Sequence, residues 1–578
     1  MSQLKPAKVL ILNHEKFDND FHPSERIGSD IDVQALIKAF NKFNCNVELM
    51  TNATVEEVRE EAQKLKSVNF EKHSALVIVV LSYGDRYDNI MAKDSVYSLD
   101  NDVLLPISEN DTLKDKPKLI IVQTSRFGQL GGSMRDSIKD DNASQREVYK
   151  CFSTSPGNVS LRNVTTGAVF IQTFCQALER DGETKEIDAI MMEVRSTVRE
   201  LTEALGCQQI PAETNTMTKK YVFGKHMDNF DLNYYQKYNM SENNKEFPKP
   251  CYSHNSVDAT TTAARNLIPI LRPMSNQSDA QAYISLEPST SSTNAILNEA
   301  PVQLPQEPST NAIQNEAQVH EPQDPPINVN QNEIQVYLPQ GPPINVNQNE
   351  DPVQLPQEPS LKPANVYIFN HVKFDDRKEE REGSDRDVEK LTITFEQFNC
   401  NVEEIRYSNW ETVQKTASRL ERENFEEHSA LVIVVLSYGG QNETIMAKDG
   451  KYSLHIDILH PILKNQTLND KPKIFFVQAC KGQCTGYRMD STLSLSDVYI
   501  CYSTFEGYVS WINQNGSIFI QTLCEVLERD GETKDIAAIM REVMATVNNT
   551  RIIQDVQQIP SVTTTLTQKY CFGDYMHN

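Results

Sequence analysis

The stretch HSALVIVVLSYG occupies residues 73–84 and recurs without change at 428–439. Its centre, from Ala75 to Leu81, is a continuous apolar run rich in β-branched residues and closed by a Ser-Tyr-Gly turn signal. A run of that kind predicts a strand buried on both faces of a parallel sheet, because a half-exposed strand would alternate apolar and polar residues. AKVLIL (7–12) and KLIIVQ (118–123) have the same character, whereas DIDVQALIKAFNKF (30–43) and TVEEVREEAQKL (54–65) show helical spacing. Strand and helix therefore alternate, and an α/β domain is expected. In open parallel sheets the working groups collect beyond the C-terminal strand ends. Two such ends stand out: SYG at 82–84 and 437–439, and QTSRF at 123–127 matched by QACKG at 478–482. The two ends are expected to be neighbours.

The chain repeats itself. ILNHEKFD recurs as IFNHVKFD, and FNCNVE and LERDGETK recur intact, so residues 11–224 and 368–573 read as two copies of one unit. The expected layout is a first domain at 1–224, a linker at 225–360 and a second domain at 361–578. The linker is dominated by Asn, Gln, Pro and Glu, and PPINVNQNE at 325 returns at 342. Too few aliphatic and aromatic residues are present there to offset the entropy of ordering, so disorder is expected. A flexible tether of that length reaches roughly 60–70 Å.

Composition narrows the partners. The 578 residues carry 56 Lys plus Arg against 80 Asp plus Glu, a net charge of −24, which argues against nucleic acid or an anionic membrane, since both reward basic surfaces. The apolar run near the N-terminus (Val9 to Leu12) is too short for a signal-peptide core and nothing approaches a membrane span, so a cytoplasmic location is expected. The 11 cysteines are scattered without paired spacing, as suits a reducing compartment. Cys480 and Cys484 form CxxxC with no second Cys/His pair, so no metal and no cofactor are expected.

FFVQACKGQC (475–484) reads as a buried strand delivering Cys480 into a glycine-containing turn, the placing of a nucleophile that needs a neighbouring base. QACKG nearly matches the QAC[RQG]G signature of caspases, the aspartate-specific cysteine proteases. The resemblance extends over about three quarters of the chain: each copy is similar to a whole effector-type catalytic unit. It implies a large part at about 1–128 and 361–483, an intersubunit segment at about 129–146 and 484–497, and a small part at about 147–224 and 498–578. No death-fold recruitment domain is expected ahead of either copy.

What the resemblance implies for the site is unusual. The histidine of the family's SHG turn falls on Tyr83 and Tyr438, and a phenol is a very poor proton acceptor at pH 7. The nucleophile falls on Ser125 in the first copy and Cys480 in the second. His428 and its counterpart His73 precede their strands, about 25 Å from the far strand end at 3.3 Å per residue, while His455 and His460 fall in a probable helix as surface or capping residues. The pocket for a substrate aspartate, two arginines and the motif glutamine, maps to Arg26, Gln123 and Arg162; in the second copy Arg381 and Gln478 match but the other arginine has become Ile512. Gly84 and Gly439 match the oxyanion-hole glycine, kept either for that amide or because the turn needs positive φ. Leu161 and Trp511 match a pocket wall or are core. Asp136 and Asp490 are the implied processing positions.

These residues imply a catalytically impaired caspase homologue that regulates apoptotic or related caspase proteolysis by binding an active caspase or its Asp-containing substrates. A slow Asp-directed cysteine endopeptidase using Cys480 is the alternative, and a caspase substrate or scaffold a third reading. TKKYVFG (218–224) and TQKYCFG (567–573) are expected to pair within the chain as a pseudo-dimer, or with an active caspase.

Overall fold

Val9, Ile11, Val77, Val79, Leu81, Leu119 and Ile121 enter one buried cluster, and the residues between them, among them Leu10, Leu12, Ile78, Val80, Ile120 and Val122, enter another. Side chains that alternate between two cores need a sheet covered on both faces, which is why the apolar runs are continuous. The computed structural model describes residues 4–18, 25–85, 87–126, 146–226, 361–376, 380–440, 444–481, 495–505, 510–550 and 558–577. Residues 227–360 of the expected linker, Cys484 and the processing positions Asp136 and Asp490 lie outside the described residues.

The main strands of the first copy are β1 (Lys8–Asn13), β2 (Asn46–Thr51), β3 (Leu76–Leu81), β4 (Lys118–Gln123), β5 (Val148–Phe152) and β6 (Ala212–Asn215). Those of the second are β7 (Asn365–Asn370), β8 (Asn401–Arg406), β9 (Leu431–Leu436), β10 (Lys473–Gln478), β11 (Val498–Tyr502) and β12 (Ser561–Thr564). All belong to a single 12-stranded sheet in the order β8-β7-β9-β10-β11-β12-β6-β5-β4-β3-β1-β2. Within each copy the first five strands are parallel and the sixth antiparallel. The fold is α/β, and the second copy repeats the two-faced core of the first, with Val432, Val434 and Phe476 on one side and Ile433, Val435 and Phe475 on the other.

Helices α1 (Ser29–Lys42) and α2 (Val55–Ser67) follow β1 and β2, and α3 (Val169–Asp181) and α4 (Ile187–Glu203) fill the stretch between β5 and β6. Their counterparts are α5 (Ser384–Gln397), α6 (Trp410–Leu420), α7 (Ile518–Asp530) and α8 (Ile536–Asn549). Thr54 and Glu57 start α2 with a reciprocal capping box. Before α1 and α5 stand Gly28 and Gly383, with φ of 84° and 80°, and a Cβ on Gly28 would meet the Val164 carbonyl oxygen at 2.6 Å. Only glycine fits there, and the turn it makes holds Arg26 and Arg381 just ahead of the helices. Among the described residues no helix is long and apolar enough to cross a membrane.

The copies do meet through their small parts, but the segments that pair are not TKKYVFG and TQKYCFG. Ala212–Asn215 pairs antiparallel with Ser561–Thr564. Tyr221, Phe223, Tyr570 and Phe572 of the expected segments instead plug the helix-side cores, and their polypeptide turns through short 3₁₀ segments at Phe223–His226 and Phe572–Tyr575.

Phe476 is fully buried in β10, the strand that leads to Cys480. Phe476→Ala is expected to cost about 3–5 kcal/mol, read as a lowered denaturant midpoint with the slope unchanged.

Candidate functional site

The parallel registers Leu81↔Gln123 and Leu436↔Gln478 bring the SYG turns beside the QTS and QAC turns. Ser82 N–H donates to the Gln123 carbonyl at 3.2 Å, and Ser437 N–H to that of Gln478 at 3.1 Å. Tyr83 and Gly84 are thereby gathered with Ser125 in the first copy, and Tyr438 and Gly439 with Cys480 in the second.

Of the two reasons expected for the glycines, the positive φ does not hold. Neither Gly84 nor Gly439 has positive φ. A Cβ on Gly439 would fall 1.8 Å from the Cys480 carbonyl oxygen and 3.1 Å from its nitrogen, and one on Gly84 would meet Thr124 Cβ at 2.9 Å. At Gly439 the close approach of two backbones, and at Gly84 the Thr124 side chain, rather than a positive φ, excludes a side chain.

Tyr83 packs against Phe17 with ring centroids 5.3 Å apart, and Tyr438 against Phe374 at 5.1 Å. The tyrosines thus occupy the strand-end turn as aromatic packing. Ser125 Oγ accepts from Ser160 N–H at 3.1 Å, and Cys480 Sγ from Ser510 N–H at 3.4 Å. Cys480 is half-buried, whereas most of the other described cysteines are buried.

Histidines elsewhere are engaged away from these atoms. His428 Nδ1 lies 2.9 Å from the Pro363 carbonyl oxygen, before the start of β9, and at the matching position the backbone of His73 forms an isolated β-bridge with Lys5, with the ring Nδ1 buried and unpartnered among the described residues. His455 Nε2 lies 3.1 Å from Tyr502 Oη within a π-helical segment at Leu454–Leu459, and His460 opens the short helix His460–Leu463. The sequence reading passed over His14 and His371, which are buried against Tyr97 and Tyr452, with Nε2 to Oη distances of 3.3 and 3.0 Å. Burial, with the nearby Arg26 guanidinium, lowers the His14 pKa to about 4; burial likewise lowers that of His371 to about 4. Both rings are neutral at pH 7.

The pocket positions differ between copies. Arg26 is buried, donates from Nη1 to the His14 carbonyl at 3.2 Å and Ser29 Oγ at 2.9 Å, and sets its guanidinium carbon 5.9 Å from the Tyr83 ring centroid. Arg162 donates to the Ile27 carbonyl. Gln123 donates from Nε2 to Ser160 Oγ at 2.8 Å and leaves a buried Oε1 unpartnered among the described residues. With amide oxygen and nitrogen exchanged, Ser160 would donate and the amide NH₂ would face the vacant side. Asp32 completes the cluster: burial raises its pKa to about 6, against hydrogen bonds from Gln172 and Ala168 N–H and the charges of Arg26 and Arg162.

In the second copy Arg381 donates from Nη1 to Ser384 Oγ at 2.6 Å. Its pKa is lowered to about 10 by burial, opposed by the charge of Asp387 and by Tyr438 and Cys480. Ile512 brings no second cation. Gln478 repeats the amide arrangement, donating to Ser510 Oγ at 2.7 Å. Leu161 packs at the edge of the first core, and Trp511 N–H is held by Gln558 Oε1 at 3.0 Å. Gln209 and Gln558, of the QQIP stretches, are braces that the sequence reading did not single out. They donate to the Ser153 and Ser503 carbonyls at 2.8 Å and so fix the segments carrying Ser160 and Ser510. The recurrence of QQIP in both copies was the available signal.

The family model for the caspase domain matches twice, at residues 7–222 and 365–571. Caspase-1 of Spodoptera frugiperda is 27% identical over 243 residues, covering 39% of this chain and 81% of that protein. Caspase drICE of Drosophila melanogaster is 30% identical, covering 36% and 69%, and caspase-7 of Gallus gallus 29%, covering 36% and 77%. The crystal structure of the Spodoptera frugiperda caspase-1 aligns over 39% of this chain and 98% of its own, with 27% identity and a TM-score of 0.33.

Two outcomes are expected. Gly439→Ala should destabilise by about 1–3 kcal/mol and more than Gly84→Ala, because its clash is with backbone; paired thermal melts check this. The folded-state pKa values of His14 and His371 lie below the unfolded 6.5, so their contribution is present above pH 6.5 and lost as pH falls towards 4. Chemical denaturation across that window should show the loss, up to about 3 kcal/mol per histidine, and His14→Asn with His371→Asn should flatten it.

Proposed function

The chain belongs to the caspase family, and on that premise we propose that it is a catalytically impaired member that holds Asp-containing substrates of caspase proteolysis, in apoptosis or a related pathway, without cutting them. The observation that carries the reading is the convergence of two arginines at the first pocket. Arg26 and Arg162 both act on Asp32, so the first copy gathers two guanidinium groups, the pairing suited to gripping a carboxylate. In the second copy Arg381 acts with Asp387, and Ile512 adds no second guanidinium. The first copy is therefore the binding half, and its Ser125 has Tyr83 where the family has a base. A serine hydroxyl without a proton acceptor does not attack an amide. Substrate sequestration also suits the pairing of β6 with β12, which occupies the strand edges through which an active caspase would otherwise be engaged.

A second reading has one observation in its favour. Cys480 is only half-buried, and its sulfur accepts the Ser510 N–H, so slow Asp-directed cleavage by the second copy remains chemically open. Losing general-base help costs on the order of 10²- to 10⁴-fold.

Binding of a fluorescent Asp-ending peptide tests the first reading. Charge-assisted contacts are worth roughly 1.5–3 kcal/mol, so Arg162→Ala should weaken binding about tenfold or more, and an Asn-ending peptide should bind correspondingly worse. Equal affinity for Asp and Asn peptides would sink the proposal. For the second copy, Tyr438→His should raise the alkylation rate of Cys480 near pH 7. Combined with Ile512→Arg it should give Asp-directed cleavage above either single change.

A further inference from the structure

The seam between the copies is centred on Thr214 opposite Thr563. Repetition relates its two sides, so every residue of one copy has a counterpart in the other, and two identical copies joined here would present the same set of charges twice. The charges at this seam are not repeated. Arg195 forms an ion pair with Glu213 at 2.8 Å and donates across the seam from Nε to the Leu566 carbonyl at 2.6 Å; all of this is buried. Glu213 also accepts from the Tyr149 hydroxyl. The counterparts of Arg195 and Glu213 are Met544 and Val562.

Two further crossings run in opposite directions. Arg541 of the second copy reaches Glu186 at 3.1 Å and also Asp188 of the first, yet its own counterpart is Met192 and that of Asp188 is Ala537. Arg199 of the first copy reaches Ser496 Oγ at 2.9 Å, Asp497 at 3.1 Å and also Asp470 of the second. Its counterpart, Asn548, is buried with both amide atoms unpartnered among the described residues. Ser496 stands where the first copy has Arg146, which lies 4.0 Å from Asp115 of its own copy. At this position the second copy has no cation of its own and takes Arg199 from the first.

We propose that the two copies are a charge-matched pair in which each small-part edge is reserved for the other, so that neither copy pairs with its like or lends its edge to a separate caspase. A pair of first copies would set Glu186 and Asp188 opposite Met192. A pair of second copies would leave the buried Asp497 opposite Asn548. Each like pairing takes a cation away from acidic groups, leaving Glu186 with Lys220 and Asp497 with Ser496, Thr567 and Lys473 of their own copies, and the loss of a partly buried ion pair is a specific penalty against the wrong partner. This inference stands whether or not the first pocket binds aspartate.

The test uses the full chain with a protease site inserted between residues 273 and 358, cut after purification and weighed by native mass spectrometry. One species is expected, holding one fragment of each kind, and it should persist when differently isotope-labelled samples are mixed. Homodimers of either fragment, or fragments that separate at micromolar concentration, would overturn the proposal. In the cut protein Arg541→Met, which installs the first copy's residue, should raise the dissociation constant between fragments tenfold or more. The milder Glu186→Gln with Asp188→Asn should act in the same direction, and Lys415→Met, whose exposed lysine pairs with Glu411 on α6, should not. Unchanged affinity in both seam variants would show that charge does not select the partner.

Discussion

Leu436 lies opposite Gln478 in two parallel strands with both faces buried, and everything at the second site follows from that register. A slip of one residue would turn Val434 and Phe476 out of their core and bring their neighbours in, so the strands have one way to end. Two residues past one end is Tyr438, and two past the other is Cys480. The chains then run so close that the Cys480 backbone takes the space a Cβ on Gly439 would need. Ser503 Oγ donates to the Ala479 carbonyl at 3.1 Å and Thr504 Oγ1 accepts from Lys481 N–H at 3.0 Å, which ties the turn to the end of the next strand. The cysteine is held in place by backbone, and its environment is set by whatever side chains the neighbouring ends supply.

Much of the fold was legible because burial on both faces leaves a strong mark in sequence. Continuous runs at 75–82 and 118–123 could only be central strands, and they are found at Leu76–Leu81 and Lys118–Gln123. The edge that joins the copies was misread for the converse reason. Ala212–Asn215 and Ser561–Thr564 look polar, and Glu213 looks like a surface residue until Arg195 and Tyr149 are seen to hold it. TKKYVFG looks like a strand because it is apolar and aromatic, but Tyr221 and Phe223 pack into a core, with the Tyr221 hydroxyl 3.0 Å from Ser74 Oγ. Sequence pattern reports that a residue is buried; it does not report against what.

At the site, the chain positions that matter could be placed by motif, while the groups that orient them could not. Ser160 and Ser510 supply the N–H groups that meet Ser125 Oγ and Cys480 Sγ, and Gln209 and Gln558 brace them from more than forty residues away. None of these contacts has a local signature. The glycines carry a related lesson: a glycine in a turn invites a dihedral explanation, yet the distance to Cys480 is what excludes a side chain at Gly439.

The two copies answer different electrostatic demands. A buried guanidinium is costly unless something answers it. In the second copy Arg381 sits with Asp387 and Ser384, and Ile512 adds no second cation. In the first, Arg26 and Arg162 both act on Asp32; Arg26 also reaches the His14 carbonyl, Ser29 Oγ and the Tyr83 ring, and Arg162 the Ile27 carbonyl. Neutral acceptors orient a guanidinium without cancelling its charge, so these contacts aim the two cations rather than quench them. Tyr83 fits the same logic: it adds an aromatic face to Arg26, and a phenol is a very poor proton acceptor at neutral pH.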